Sequence, residues 1–253
     1  MNKRLLQTLG TVTLAIITGG AQATLLSDLL NGASITAGDK VFDMWFVDPV
    51  AVSDPALEVD PANIDVTALN DGGLDPGPGL HFSISNGAFD VTGDGIYAFI
   101  DYLIGFRVTA PTGLNIKDNS LAITDAFITN SGDNGITIQE FVGTDKSKVD
   151  VPGDITVPDL SVTDVEFSWL DPTFGGPGLI SDLTDSASFA PQSQIWVSKD
   201  IFVWASDVDE TASLTGFEQR FSQEPVGAPE PSVVLLMAVG AAGLGLARRK
   251  RRA

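Results

Sequence analysis

Cysteine is absent from this chain of 253 residues. Its absence excludes thiol catalysis, thiolate metal sites and disulfide bonds, which stabilise many proteins outside the cytoplasm. The fold must therefore be stabilised by packing. About 200 residues remain once the two ends are set aside, which is enough for one domain with a single sizeable core.

Histidine occurs once, at position 81. A Ser-His-Asp triad would depend entirely on His81, whose alternating apolar neighbours instead favour a place on the face of a strand near a turn. The sequence also lacks phosphate-binding loops, dinucleotide fingerprints and HExxH zinc motifs. Glu140, Glu166 and Glu218 stand in no recognisable motif. We therefore predict no catalytic residue, no cofactor and no metal site, although the acidity of the chain leaves paired carboxylates for glycoside hydrolysis open.

Basic residues are scarce, with 14 Lys and Arg against 33 Asp and Glu and a formal net charge of -19. Two of them lie near the start and five near the end, whereas every acidic residue except Glu230 lies in the body between Thr24 and Ala228. Such a body repels nucleic acid and anionic membranes, so neither is expected as its partner. Its Asp residues stand singly in turn-like contexts, which favours a solvated surface over a coat of divalent cations.

The first 23 residues have the layout of a secretory signal peptide. Lys3 and Arg4 form the positive start, Leu5–Ile17 the apolar centre, and residues 21–23 an A-x-A site for signal peptidase. Thr24 is then the expected mature N-terminus. The alternative is a buried N-terminal helix of a cytosolic protein, which the absence of acidic residues from this stretch disfavours.

The other end combines an apolar run with a basic terminus. Ser232–Ala247 carries no charge and would span roughly 24 Å as a helix, slightly less than the hydrocarbon core of a bilayer. We predict a transmembrane helix here, with the basic end on the cytoplasmic side and the body outside. A core helix and a nucleic-acid-binding arm are the alternatives, and both are disfavoured because the run has no polar face. The basic residues are Arg248, Arg249, Lys250, Arg251 and Arg252.

A short motif, Pro229, Glu230 and Pro231, precedes the apolar run. Motif, run and basic end together resemble the PEP-CTERM sorting signal of Gram-negative bacteria. The resemblance implies recognition and cleavage by an exosortase, a membrane-embedded cysteine transpeptidase, in bacteria that commonly build exopolysaccharide-rich matrices. It also implies that the triplet is the recognised motif, the apolar run a transient anchor and the basic end a stop-transfer signal.

Short alternating segments bounded by Gly, Asn, Asp or Pro recur through the body. Residues 80–91 read as two strands around Asn86-Gly87, which predicts a hairpin. Another hairpin is predicted with its turn at Ser131–Gly135, and two short strands around Lys199-Asp200. Ile96–Phe106 is apolar at nearly every position, as in a long strand buried between two layers.

These segments predict an all-β fold, an antiparallel β-sandwich of roughly 8 to 10 strands, over residues 24–224. Helical periodicity is limited to Leu25–Leu30, and Asp71–Gly79 predicts a loop. The tail divides into a linker and motif over 225–231, a transmembrane helix over 232–247 and a basic end over 248–253.

Residues 90–101, DVTGDGIYAFID, fit part of a twelve-residue calcium loop and resemble the loops of dockerins. Asp90, Thr92, Asp94 and Asp101 take positions 1, 3, 5 and 12, and Gly95 takes position 6. An alanine at position 9 offers no side-chain ligand. A tight turn between two strands is the favoured alternative.

Six large aromatic residues could form an exposed platform on which sugar rings stack. Core positions are favoured instead, because each tryptophan has apolar neighbours. These residues are Trp45, Tyr97, Tyr102, Trp169, Trp196 and Trp204.

Two functions of different classes remain. The favoured one is a non-catalytic secreted or surface protein that interacts with exopolysaccharide or with matrix proteins. The alternative is a secreted carbohydrate-active enzyme that uses paired carboxylates on the same scaffold. In either case we expect the body in the periplasm, anchored in the inner membrane, before processing, and at the cell surface or in the extracellular matrix afterwards.

Overall fold

The computed structural model of the protein describes residues 22–129, 132–149, 168–176 and 180–227. Strands make up 62% and helices 7% of the structure. The one α-helix described is α1 (Leu26–Leu30), and three single-turn 3-10 helices cover Pro55–Leu57, Pro61–Asn63 and Lys146–Lys148. The fifteen described strands are β1 (Thr24–Leu25), β2 (Ile35–Ala37), β3 (Lys40–Val52), β4 (Ile64–Leu69), β5 (Gly79–Ile84), β6 (Asp90–Thr92), β7 (Ala98–Thr109), β8 (Leu114–Ile128), β9 (Asn134–Gly143), β10 (Ser168–Leu170), β11 (Thr173–Gly175), β12 (Ile180–Asp182), β13 (Thr184–Gln192), β14 (Gln194–Ala205) and β15 (Thr211–Pro225).

The strands form two antiparallel sheets. The first sheet has the order β1-β4-β5-β15-β8-β13, with β6 also paired to β15, and the second has the order β12-β11-β9-β14-β7-β3-β2, with β10 paired to β9. The predicted antiparallel sandwich is therefore confirmed. Nine of the described strands have six or more residues, and the other six have two or three. A strand of two or three residues is too short for its alternation to be recognised in the sequence, which explains why the sequence indicated fewer strands.

Phenylalanine side chains fill much of the space between the sheets. Phe82 and Phe217 stack at 4.3 Å between ring centroids, and Trp45 lies 4.6 Å from Phe106. Phe42, Phe82, Phe106, Phe217 and Phe221 are all fully buried. Each such side chain contributes about 1.5–3 kcal/mol on leaving water, so packing alone can hold a chain without disulfides together.

The buried strand predicted over Ile96–Phe106 exists as β7, but it begins only at Ala98, and Ile96 in the loop before it is 84% exposed. Ile104 and Phe106 point into the core with no exposed surface, and Leu103, on the opposite face, is equally buried. Twelve residues of β14 pair with β7 along its whole length. These two strands form the centre of the second sheet.

The predicted hairpin at Asn86-Gly87 is wrong, although the turn itself exists. Asn86 and Gly87 have φ of 55° and 67°, and the Ala88 N–H donates to the Ser85 carbonyl at 3.1 Å. A second turn, closed by the Asp90 N–H and the Gly87 carbonyl at 3.0 Å, restores the direction of the chain. As a result β5 and β6 do not pair with each other, and both pair with β15.

The predicted hairpin around Ser131–Gly135 is also wrong. Strand β8 belongs to the first sheet and β9 to the second, so the chain crosses between the sheets here instead of returning along its own strand. Local turn residues signal a change of direction but not the sheet that the next strand joins.

The two short strands predicted around Lys199-Asp200 are one continuous strand, β14. Lys199 points into the core, where it meets Glu140 at 2.8 Å. Asp200 points to the outer face and forms a side-chain hydrogen bond with Asp101. Lys199 and Asp200 can therefore lie in the middle of a buried strand, because each has a polar partner on a neighbouring strand that is distant in sequence.

Several connections cross between the sheets at the same end of the sandwich, which we call the crossover end, and three of them surround the candidate site. These three are residues 93–97 between β6 and β7, residues 129–133 between β8 and β9, and residues 206–210 between β14 and β15. This end collects the loops that surround the candidate site below.

The predicted helix and loop are confirmed, and both ends of the chain lie outside the described part. Helix α1 buries Leu26 and Leu29, and no helix or strand covers residues 70–78. Residues 1–21 of the predicted signal peptide (1–23) and the tail from Ala228 are not among the described residues. Within the described ranges, no helix has the length and apolarity needed to cross a bilayer.

Candidate functional site

Four aromatic side chains lie together on the outer face of the second sheet, next to the crossover end. We call Tyr97, Phe99, Phe202 and Trp204 the aromatic row. Trp204 of β14 pairs directly with Phe99 of β7, and Phe202 lies two residues from Trp204 on the same face of its strand. Tyr97 immediately precedes β7.

The rings of the aromatic row contact one another in sequence. Phe202 and Trp204 stack at 5.4 Å, Phe99 and Phe202 lie at 5.8 Å, and Tyr97 lies 5.8 Å from Phe99. Offset and tilted aromatic pairs at such distances are mutually stabilising. The row is thus one connected surface across two strands.

Glycine on the neighbouring strand makes room for the indole of Trp204. Gly135 of β9 pairs with Trp204, and a Cβ at that position would lie 2.7 Å from the indole ring. Any larger residue would push the ring away from the sheet. Gly135 therefore leaves room for the Trp204 ring over β9.

The row is partly open to solvent. Tyr97 is 37% exposed, Phe99 and Trp204 are half-buried, and Phe202 is nearly covered. Ile96 and Val208, in two of the crossover loops, are 84% and 65% exposed. An apolar surface therefore continues from the sheet onto the crossover end.

Polar groups border this surface. The Ser206 hydroxyl donates to Asp133 at 3.2 Å, and Asp94 caps its own loop by accepting from two backbone N–H groups. Burial, and to a smaller extent the charge of Asp133, raises the pKa of Tyr97. Carboxylate and hydroxyl groups next to stacked rings can hydrogen-bond the hydroxyls of a sugar whose face lies on the rings.

The buried carboxylate of Glu210 holds the crossover loops in place. Its Oε1 accepts from the Asp133 N–H at 3.0 Å, and its Oε2 accepts from the N–H groups of Ser206 and Asp207 at 3.2 and 3.0 Å. The Glu210 carbonyl accepts from the Gly93 N–H at 3.0 Å. One residue thus joins all three loops around the aromatic row.

A second aromatic group lies at the other end of the same face. Trp196 and Phe46 lie 6.3 Å apart, and the Arg107 guanidinium lies 5.9 Å from the Trp196 ring. Arg107 donates two hydrogen bonds to Asp43, at 2.8 and 2.7 Å. Trp196 and Trp204 are eight positions apart on β14, roughly 26 Å at the rise of an extended strand.

The six aromatic residues singled out from the sequence divide between core and surface. Trp45 and Tyr102 are core residues, as favoured. Trp196, Trp204 and Tyr97 lie on the outer face, and the Trp169 side chain is outside the described part. Phe99 and Phe202 were missed, although their spacing of two from Tyr97 and Trp204 is the signal of a shared strand face.

The loop over residues 90–101 adopts the favoured alternative, a turn between strands. Asp90 accepts a short hydrogen bond from Ser213, and Asp94 accepts from the N–H groups of Ile96 and Tyr97 at 2.8 and 3.0 Å. Asp101 is buried on the outer face of β7. Over the described ranges, no three His, Asp or Glu side chains form a group that could hold a metal ion.

Two of the three glutamates considered for catalysis are among the described residues, and both have other contacts. Glu140 is completely buried, and Glu166 lies outside the described residues. Glu218 lies 3.6 Å from His81 and 3.7 Å from Arg220, on the outer face of the first sheet. His81 lies on strand β5, half-buried, as its alternating neighbours predict.

A polar cleft of about 200 Å³ lies over β8 and β13. Its two carboxylates already have partners, since Asp75 pairs with Lys117 at 2.8 Å and Asp118 accepts from the Ser222 N–H at 3.1 Å. These contacts fasten the loop that contains Asp75 to the first sheet, which is a structural role.

Comparison with protein families concerns the C-terminal tail. Residues 228–252 match the family model described as the PEP-CTERM protein-sorting motif. The tail is a PEP-CTERM sorting motif. This PEP-CTERM segment contains all the predicted sorting residues, the Pro229–Pro231 triplet and the basic cluster 248–252, which lie outside the described part.

No curated protein matches the chain. Among solved structures, the chain is similar to the structure of TmCBM61 in complex with β-1,4-galactotriose. The identity is 11%, the match covers 72% of this chain and 88% of that chain, and the TM-score is 0.27.

Proposed function

We propose that the protein is a non-catalytic, exported component of an exopolysaccharide matrix, and that its body binds polysaccharide through the aromatic row. The PEP-CTERM motif supports export and processing by an exosortase. Signal peptidase would remove residues 1–23, and the segment 232–247 would hold the body at the inner membrane until the exosortase acts. The body then reaches the cell surface or the matrix.

The binding proposal rests on the partly exposed aromatic row, whose rings contact one another beside polar loops. Sugar rings have apolar faces of C–H groups that pack on aromatic rings, while their hydroxyls hydrogen-bond to surrounding polar side chains. The aromatic row supplies the rings, and Asp133 and Ser206 supply polar groups at its border. A sheet fixed in a sandwich also needs little reorganisation on binding, which favours affinity.

The acidic surface supports the choice of a neutral or cation-bridged glycan over nucleic acid as the ligand. Catalysis is not part of the proposal, because Glu140 is buried and Glu218 pairs with His81 and Arg220. The carboxylates bordering the row are aspartates tied into loop hydrogen bonds.

The test is a binding measurement on the exported protein, purified from its native host, with the exopolysaccharide of that host as ligand. Tyr97→Ala should weaken binding about tenfold, which corresponds to about 1.4 kcal/mol, because it removes the most exposed ring of the row. Tyr97→Phe should retain most of the affinity, since the ring stays.

Phe127→Ala is the matched control, because Phe127 is an exposed aromatic residue (58%) of the first sheet, outside the row. Equal affinity of Tyr97→Ala and the unsubstituted protein would contradict the proposed surface. Release of reducing ends from the polysaccharide by the purified protein would contradict the absence of catalysis.

A further inference from the structure

A lysine, a glutamate and two amides lie together inside the sandwich, between the two sheets. Lys199 of β14 and Glu140 of β9 face each other in adjacent strands of the second sheet. Asn119 of β8 and Gln219 of β15 approach Glu140 from the first sheet. All four side chains have at most 1% of their surface exposed.

Glu140 contacts Lys199 and Asn119 through different carboxylate oxygens. Its Oε2 lies 2.8 Å from Lys199 Nζ, and its Oε1 accepts an unusually short hydrogen bond from Asn119 Nδ2. Gln219 Nε2 also donates to Oε1, at 2.9 Å. The amine of Lys199 and the carboxamide of Asn119 are therefore held on the two sides of one carboxylate.

The surroundings of this group are aromatic. Lys199 Nζ lies 4.5 Å from the centre of the Phe106 ring and 6.0 Å from that of Phe82. Burial lowers the pKa of Lys199, against the opposing charge of Glu140. A lysine in such a site has an increased fraction of the neutral amine, which is the nucleophilic form.

We propose that Lys199 and Asn119 condense to an intramolecular isopeptide bond, with Glu140 as the proton-transfer residue. Lys199 Nζ attacks Asn119 Cγ, a C–N bond forms, and the bond from Cγ to Nδ2 breaks. Glu140 accepts a proton from Nζ and delivers it to the departing Nδ2, which leaves as ammonia. Amine and carboxamide give a secondary amide and ammonia, so the reaction needs no oxidant or cofactor.

The burial of charge favours this reaction over a permanent ion pair. A buried lysine and carboxylate both lose their hydration, and their attraction often fails to offset that loss. The ammonium first passes its extra proton to Glu140, and condensation then leaves a neutral amide beside a neutral Glu140 carboxyl, so that neither charge stays buried. The new bond would link β8 of the first sheet to β14 of the second, in a chain that has no disulfide.

Asn119 and Gln219 both donate to Glu140 Oε1, and Asn119 is preferred as the acceptor because its side chain, one methylene shorter, has fewer rotamers to fix in the reactive geometry. Both would lose ammonia on reaction with Lys199. The position of the bond therefore has to be determined by sequencing the linked peptides.

The experiment is tryptic mapping of the full chain, expressed and purified in its folded form, by tandem mass spectrometry. Trypsin does not cleave after an acylated lysine, so the peptide that starts after Lys148 should continue through Lys199 to Arg220. It should be joined to the peptide 118–146, with a combined mass lower by one ammonia molecule, and fragmentation should place the bond between Lys199 and Asn119. Most of the folded protein should carry it.

Three results would overturn the proposal in the unsubstituted chain. One is cleavage after Lys199 with a peptide 118–146 of unchanged mass, another is a bond to Gln219, and the third is loss of ammonia from Asn119 with Lys199 still free. None of these bears on glycan binding, so the two proposals fail independently.

Two variants test the role of Glu140. Glu140→Gln should abolish the linked peptide while preserving the shape of the side chain, and Glu218→Gln, a surface control, should retain it. If the bond forms in Glu140→Gln at the rate of the unsubstituted chain, Glu140 takes no part in the reaction. If Glu140→Gln does not fold, the map of the unsubstituted chain still decides whether the bond exists.

Discussion

The side chain of Glu210 accepts a hydrogen bond from the backbone N–H of Asp133, 77 residues away in the sequence, at 3.0 Å. The same carboxylate accepts two N–H groups of its own loop and is 4% exposed. A single buried acceptor thus determines how three connections meet beside the aromatic row.

Replacement of Glu210 by alanine should lower the free energy of unfolding by about 2–4 kcal/mol, because three backbone N–H groups of the crossover loops lose a charged acceptor. Chemical denaturation at neutral pH would measure this. Glu224→Ala, at an exposed position in the last strand, should change stability by less than about 0.5 kcal/mol. Equal stability of the two variants would show that the loops do not depend on Glu210.

Gly135→Ala should displace the Trp204 ring, since the new Cβ would lie 2.7 Å from it. The expected cost is about 1–3 kcal/mol of stability, with a change in tryptophan fluorescence and weaker glycan binding. Gly73→Ala is the control, because nothing lies within 4 Å of a Cβ at that position. An unchanged emission spectrum and affinity for Gly135→Ala would contradict the packing of Trp204 over β9.

The titration of Lys40 should increase the free energy of unfolding as the pH rises from about 8 to about 10. Burial lowers the pKa of Lys40 to about 8, although the negative charges of Asp39 and Asp118 partly raise it again. In this interval the unfolded chain binds the proton that the folded chain has released, so the free energy of unfolding increases with pH. The full effect is up to about 3 kcal/mol, because one pKa unit corresponds to about 1.4 kcal/mol.

Denaturation curves of the Lys40→Met variant at several pH values test this. The variant should lack the increase between pH 8 and 10, values close to the folded and unfolded pKa of the lysine. Lys117→Met is the control, since a hydrogen bond from Lys117 to Asp75 raises the pKa of Lys117 and moves its titration above this interval. An identical pH dependence of Lys40→Met and the unsubstituted protein would mean that Lys40 is solvated.

The sorting motif predicts two forms of the chain in its native host. Intact mass and C-terminal peptide mapping should find the complete basic end only in the inner membrane, and a shortened chain at the surface or in the medium. The shortened form should lack the segment after Pro229–Pro231. A complete terminus in all fractions, or confinement of the protein to the inner membrane, would contradict the matrix proposal.

The alternation of residues predicted the buried faces correctly, because a strand with one face in the core repeats every two residues. Leu80, Phe82 and Ile84 are all buried, as that period requires. The pairing of the strands could not be predicted in this way. Strand β15 pairs with β8 about 100 residues earlier, and nothing in the turn at Asn86-Gly87 indicates that both flanking segments add to β15.

The candidate site was only partly predictable for the same reason. Tyr97 and Trp204 were recognised as potential platform residues, but they become neighbours through the pairing of β7 with β14. Lys199 appeared to interrupt a strand because its partner Glu140 lies 59 residues earlier on another strand. Long-range pairing, which the sequence pattern does not specify, produces both clusters.

Strand β15 runs from one end of the body to the other. It starts at Thr211 at the crossover end and finishes at Pro225 at the opposite end, after fifteen residues or roughly 50 Å of extended chain. The sorting tail therefore leaves the body at the end far from Tyr97 and Trp204. In the anchored state that we propose, the aromatic row would lie at the end of the body far from the lipid surface, where it could bind long polymers before release.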